Sequence, residues 1–250
     1  MGMFLFVGCS YTWGAGLQFE YLYNKEGYSS KELNSMDPSF SEAPPNKKPK
    51  LEDTNYYANE YRKKHRYADL VSKHFNKNYE VLNIVNGGSN GMIQHLINQT
   101  PRDGVNRPGG LVVVQFTDMI RDLQGKNNEV TSWNAHEYFD INEQIRNQNK
   151  DIESVMRGTN WLGFSWRKDL AEELISLFPE RHIPIILDDE EVSSMEEISK
   201  TGNFNNWRVR CKHKSRVSDS IPGCKDTHLS SEGHKIIANS IIKKCERMEW

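Results

Sequence analysis

Apolar positions along this chain switch repeatedly between two rhythms. Met3-Phe4-Leu5-Phe6-Val7-Gly8 is a continuous apolar run that predicts a buried strand over residues 3–8. Val81-Leu82-Asn83-Ile84-Val85 predicts a second strand, and Leu111-Val112-Val113-Val114-Gln115-Phe116 a third. The unbroken β-branched burial of the third suits a central parallel strand. Pro184-Ile185-Ile186-Leu187 predicts a fourth strand, and Trp207-Arg208-Val209 a short fifth. Between these runs the apolar spacing is helical. Asn55–Phe75 carries Tyr57, Tyr61, Leu70 and Val71 on a face suited to packing on a sheet, and Met92, Ile93, Leu96 and Ile97 form a helix stopped near Pro101. Further helices are predicted around 139–156 and over Phe164–Phe178, the latter with Leu170, Leu174 and Leu177 on one side. A terminal helix from Ser231 to Glu246 has Ser231 as its cap and Ile236, Ile237, Ile241 and Ile242 as its stripe. Strands alternating with helices predict an α/β fold, with right-handed crossovers joining a mostly parallel sheet of roughly five strands.

Composition narrows this picture. A chain of 250 residues is expected to form a single domain over 1–250, and its hydrophobic fraction of 36% predicts long polar loops around one core. The stretch from about 18 to 66 is polar and proline-broken, and its centre at 37–50 has no periodicity that supplies a core. With 32 Lys+Arg against 34 Asp+Glu, the net charge of -2 offers no field to draw nucleic acid or an anionic membrane. No apolar stretch approaches the ~18 residues of a membrane span, and the apolar start lacks the basic leader of a signal peptide. Cys9, Cys211, Cys224 and Cys245 form no CxxC pair. A reduced, cytoplasmic setting is expected, with virion or non-classical export left open.

Three predicted strand ends carry polar turns: Gly8-Cys9-Ser10, Asn86-Gly87-Gly88-Ser89-Asn90 and Gln115-Phe116-Thr117-Asp118. In a parallel sheet such ends share one edge, where ligands bind. A serine hydroxyl there needs a base, and the base needs an orienting group. His228 and Asp226 fit those roles, because extended residues two apart face the same side. Acyl transfer also needs donors where negative charge develops, each worth roughly 10²–10³ in rate. The Ser10 N–H, Gly87 or Gly88, and Asn90 or Thr117 are the candidates. Tyr11, Trp13, Gly88 and Arg121 are candidate substrate contacts, with Trp161 and Trp166 as further aromatics. Each residue also has an ordinary reading: Ser10 as a turn or cap, Asp226 as an Asx turn, the glycines as turn formers, the aromatics as core, Arg121 as a surface ion pair. His234, inside the terminal helix, is read as facing solvent or packing locally. Cys211, His213, Cys224 and His228 are zinc-ligating types, but their spacing matches no familiar finger. The first turn lacks the glycine spacing of a dinucleotide site, and no Walker motif is present.

These segments carry a family resemblance. Gly8-Cys9-Ser10-Tyr11-Thr12-Trp13-Gly14 resembles the first block of the SGNH, or GDSL-like, hydrolases; Asn83–Asn90 resembles their second, with Gly87 as the oxyanion glycine; and Asp226-Thr227-His228-Leu229-Ser230-Ser231-Glu232-Gly233-His234 resembles their last. The resemblance implies a flavodoxin-like three-layer α/β/α sandwich, with residues about 20–55 and 190–220 as polar insertions. It also implies a serine esterase with Ser10 as nucleophile, His228 as base and Asp226 as its orienter. Three positions depart from the pattern. Cys9 stands where the family usually has Asp, Thr117 stands where an oxyanion Asn is usual, and Asp-x-His replaces the commoner Asp-x-x-His.

The resulting expectation is hydrolysis of an ester through an acyl-enzyme on Ser10, with a small acyl group such as acetyl carried on a carbohydrate or another polar molecule. No metal or organic cofactor is required. The rival expectation, carried by Thr117, is a non-catalytic carbohydrate-binding or assembly protein on the same fold. A Ser10–His228 separation beyond about 5 Å would favour that rival.

Overall fold

Apolar runs without polar alternation are stable as strands when both of their faces are covered, and the sheet of this protein is built from such runs. The computed structural model describes residues 2–36, 50–83, 97, 104–116, 156–165, 175–183 and 215–248. The chain divides into two compact units, one formed by Met1–Cys9, Asn76–Ile185 and Arg247–Trp250, the other by Ser10–Phe75 and Ile186–Glu246.

The first unit contains the sheet, with β1 (Phe4–Gly8), β2 (Tyr79–Asn83), β3 (Leu111–Gln115) and β4 (Trp161–Phe164). Every pairing is parallel and the order is β2-β1-β3-β4. This is the order of doubly wound, flavodoxin-like sheets, so the α/β class expected from the sequence is the class observed. Leu5 pairs with Val112 and Val7 with Val114. The pleat places these four on one face, in a core with Ile97, Phe116, Met156, Trp161 and Phe178. Phe4 and Phe6 take the opposite face, where Phe6 meets Tyr79 edge-on at 6.1 Å.

The sequence pattern misplaces β4. Phe164, expected to open a helix, is the last residue of a strand that begins at Trp161. A four-residue strand with a central glycine gives little periodic signal, and the leucines that follow it repeat at helical spacing. Gly163 is required by packing: a Cβ there would stand 2.7 Å from Phe116 Cε2. A parallel bridge joins Gly163 to His182, flanked by Gly163 N–H donating to the Arg181 carbonyl at 2.7 Å and Ile183 N–H to the Gly163 carbonyl at 2.8 Å. The chain leading into the predicted strand 184–187 therefore pairs along the outer edge of β4. That strand itself lies outside the described residues, as do the predicted strand at 207–209, the helix around 139–156, Leu170, Leu174 and the centre of the polar stretch at 37–49.

The second unit is helical: α1 (Ser10–Trp13), α2 (Leu17–Glu26), α3 (Ser30–Leu33), α4 (Lys50–His65), α5 (Tyr67–His74), α6 (Val217–Ser220) and α7 (Ser231–Cys245). Within it α2 packs on α4 and α5 on α7. The ends of the polar stretch are thus ordered helices, and Phe19, Leu22, Leu33 and Ala58 join Val217, Ile221 and Cys224 in a second core. Ser29-Ser30-Lys31-Glu32 is a reciprocal capping box: the Ser29 N–H donates to Glu32 Oε2 at 2.8 Å and Ser29 Oγ accepts from the Glu32 N–H.

The single helix expected over Asn55–Phe75 is two helices. Arg66 is extended between them (φ −71°, ψ 148°), and the N–H of Tyr67 finds its acceptor on a side chain, His234 Nδ1, at 3.2 Å. Val71 is buried and Tyr61 and Leu70 are half-buried, but Tyr57 is 57% exposed and joins no core among the described residues. The terminal helix is capped by Ser230, not Ser231: Ser230 is extended and its Oγ accepts the Gly233 N–H at 3.1 Å. Ile237 and Ile241 are buried in the expected stripe, with Ile236 and Ile242 half-buried beside them. Among the described residues, no helix is long and apolar enough to cross a membrane.

Candidate active site

Two short paired segments set the geometry of the site. Val217 N–H donates to the His228 carbonyl at 2.9 Å, Ser218 N–H to the Asp226 carbonyl at 2.9 Å, and Ser230 N–H to the Ser215 carbonyl at 2.8 Å. Arg216 and Leu229 form an antiparallel bridge within this ribbon. This pairing holds the backbone that carries Asp226 and His228, which bends at His228 and brings the two side chains together.

Asp226 and His228 use that arrangement. Asp226 Oδ1 lies 2.6 Å from His228 Nδ1 and also accepts the His228 backbone N–H at 3.1 Å. The Asx-turn contact and the carboxylate–imidazole contact therefore coexist on one oxygen. His228 Nε2 lies 3.0 Å from Ser10 Oγ. An ionised carboxylate only accepts, so the imidazole proton sits on Nδ1 and the Nε2 lone pair accepts the Ser10 O–H. Ser10 is 7% exposed, and the His228 and Asp226 side chains 19% and 6%, so the three groups are sheltered with the imidazole the most open.

Ser10 opens α1 two residues after β1 ends, and its carbonyl accepts the N–H groups of Gly14 and Ala15 at 3.0 and 2.9 Å. The chain then turns through Gly16 at φ +88°, a conformation that penalises any side chain. A Cβ on Gly16 would overlap Asp226 Oδ2 and press on Val217 and His228. Gly16 thus lets the backbone lie against the carboxylate, a role that residue type and spacing do not disclose, although Trp-Gly-Ala-Gly after the serine is a turn signal. Asp226 Oδ2 is buried, with no hydrogen-bond partner among the described residues.

Tyr11 lies against the imidazole, its ring centroid 5.0 Å from that of His228. Arg216 Nη1 donates to Tyr11 Oη at 3.2 Å and to the Thr227 carbonyl at 2.6 Å. No sequence signal singles out Arg216, because the pairing that brings it here is non-local. Trp13 is buried beneath the Arg62 guanidinium, 3.5 Å from its ring, and Arg62 Nη1 donates to the Trp13 carbonyl at 2.8 Å. Of its two readings, packing describes where Trp13 stands. Trp161 is likewise a core residue, edge-on to Phe178 at 5.2 Å. Cys9 is buried and accepts from Gln115 Nε2 at 3.3 Å. Gly87, Gly88, Asn90, Thr117, Arg121, Trp166, Cys211 and His213 lie outside the described residues.

Two further buried groups support the ribbon and α7. Glu20 Oε1 accepts the Ser231 N–H at 2.9 Å, placing a carboxylate at the helix N-terminus where the macrodipole favours it. Tyr61 donates to Glu20 Oε2 at 3.3 Å, and burial, followed by the Glu20 charge, pushes the phenol up to about 12. His234 does not face solvent. It is fully buried and stacked on Tyr67 at 5.7 Å, and its Nδ1 accepts the first N–H of α5. Burial first, then the charge of Arg66, holds its pKa down to about 3, so the ring is neutral.

No protein-family model matches this chain. No curated protein matches it significantly. A solved structure from work described as "The active site of a carbohydrate esterase displays divergent catalytic and non-catalytic binding functions" aligns at 14% identity and a TM-score of 0.45, over 99% of this chain and 69% of that one. At that level the likeness says nothing of this chain's chemistry.

Proposed function

We propose that this protein is a serine esterase of the SGNH type, with Ser10 as nucleophile, His228 as general base and Asp226 as the group that orients it. The observation that carries the reading is the continuous relay from Asp226 Oδ1 through His228 to Ser10 Oγ, at 2.6 and 3.0 Å. The second of these distances falls well inside the separation that would favour a non-catalytic relative.

In this mechanism His228 Nε2 takes the Ser10 proton as Oγ attacks the acyl carbon. Asp226 stabilises the imidazolium without itself being protonated. The Ser10 N–H lies in the first turn of α1, where backbone donors have no intrahelical acceptor, and it serves as one oxyanion donor. Gly87, with Asn90 or Thr117, remains the proposed source of the others. His228 then protonates the departing alkoxide, and water, activated by the same ring, releases the acid from Ser10. A small acyl group on a carbohydrate or another polar carrier is the substrate class this reading favours.

Hydrolysis of 4-nitrophenyl acetate by the parent and by Ser10→Ala and His228→Ala tests it. Each substitution is expected to lower kcat by about 10³-fold or more. Full turnover by Ser10→Ala would leave the fold without this chemistry and favour the binding-protein alternative that Thr117 suggests.

A further inference from the structure

We propose that Arg216 is a specificity determinant that selects esters whose carrier bears a carboxylate. This rests on the esterase reading above. A guanidinium has five N–H donors in a rigid planar fork. Arg216 spends two of them, both on Nη1, on the neutral acceptors Tyr11 Oη and the Thr227 carbonyl. Neither contact neutralises its charge, and among the described residues it has no ion pair. The Nη2 and Nε donors, on an edge suited to binding an oxyanion with two hydrogen bonds, have no partner among the described residues.

The position of this cation ties it to the chemistry. Thr227, which anchors Nη1, is the residue between Asp226 and His228. Tyr11, the other anchor, follows Ser10 in sequence, and its ring lies 5.0 Å from the His228 ring and 5.8 Å from the Arg216 guanidinium carbon. A half-buried guanidinium is thereby fixed against Tyr11 and the Thr227 carbonyl, the chain neighbours of Ser10 and His228, by contacts at one nitrogen, so its free edge needs little reorganisation to take an anion. A residue whose purpose was to brace the ribbon would need only the Nη1 contacts. The unspent charge is what points to a substrate carboxylate.

The matched esters 4-acetoxybenzoate and methyl 4-acetoxybenzoate, differing in the charge of the carrier, separate the two roles. The parent should prefer the carboxylate ester. Arg216→Gln should lose about tenfold to a hundredfold more kcat/KM on that ester than on the neutral one, with the excess loss in KM, as expected for removal of a charge-assisted pair. Arg216→Lys, which keeps the charge but not the fork, should show a smaller excess loss. Equal losses on both esters, or no parental preference between them, would overturn the inference and leave the esterase reading standing. A parent that hydrolyses neither ester and takes no fluorophosphonate label would overturn both.

Discussion

In the sheet unit, Leu5, Val7, Val112 and Val114 meet across β1 and β3, and the buried polar residues among those described are few: Gln115, Thr159, Ser165 and His182. In the helical unit, Ser10, Thr12, Gln18, Glu20, Arg62, Asp69 and His234 are also buried. Apolar burial is non-directional and depends on volume and shape. Buried polar groups depend on particular partners: His228 for Ser10, the Ser231 N–H for Glu20, the Trp13 carbonyl for Arg62 and the Tyr67 N–H for His234. The comparison teaches that one unit is organised chiefly to be stable, whereas the other holds polar groups in set geometries at some cost.

The strongest attempt to break that contrast is Asp226→Asn. An amide that donates to Nδ1 would impose the tautomer with the proton on Nε2, and kcat on an aryl acetate is expected to fall about 10⁴-fold. Thermal unfolding should move far less than the rate does. A large loss of stability with a modest loss of rate would mean that Asp226 is a structural turn residue.

Leu162→Ala probes the other side. Leu162 is fully buried in β4, and truncation there is expected to cost about 2–5 kcal/mol in chemical denaturation. Turnover per folded molecule should change little. A site that lost its rate with this core residue of the sheet unit would remove the division of labour.

At neutral pH and above, the smallest expected effect comes from His234, and it sharpens the contrast by pH. Its folded pKa of about 3 lies below the ~6.5 of an unfolded histidine. The neutral form is therefore the one the fold favours. Its contribution is complete above pH ~6.5 and is lost as pH falls towards 3, at up to ~1.4 kcal/mol per unit. His234→Gln should flatten the acid limb of stability against pH. It should also cost about 1–3 kcal/mol at pH 8 by disturbing the buried contact to Tyr67. An unchanged acid slope would show that other groups set it.

The two units also differ in how much of each is legible in the amino-acid sequence. β1 and β3 are legible because continuous burial of Phe4–Val7 and Leu111–Val114 admits few alternatives. β4 is not, because Gly163 interrupts a short strand for the sake of one ring, Phe116. The break at Arg66 is equally hidden, since its cause is His234, 167 residues beyond the Tyr67 N–H that it accepts. Ser10, Asp226 and His228 are legible because residue type, order and spacing agree. Gly16 and Arg216 are not, because their roles come from the turn after α1 and from the pairing of 215–218 with 226–230, and neither leaves a periodic trace.

Fluorophosphonate labelling followed by peptide mass mapping tests the central claim most directly, since the reagent reports an activated serine whatever the natural substrate. The account expects one phosphonylated residue, Ser10, in the parent, no label in Ser10→Ala, and strongly slowed labelling in His228→Ala. A folded parent that resists the probe, or a label that maps to a different serine and persists in Ser10→Ala, would contradict it.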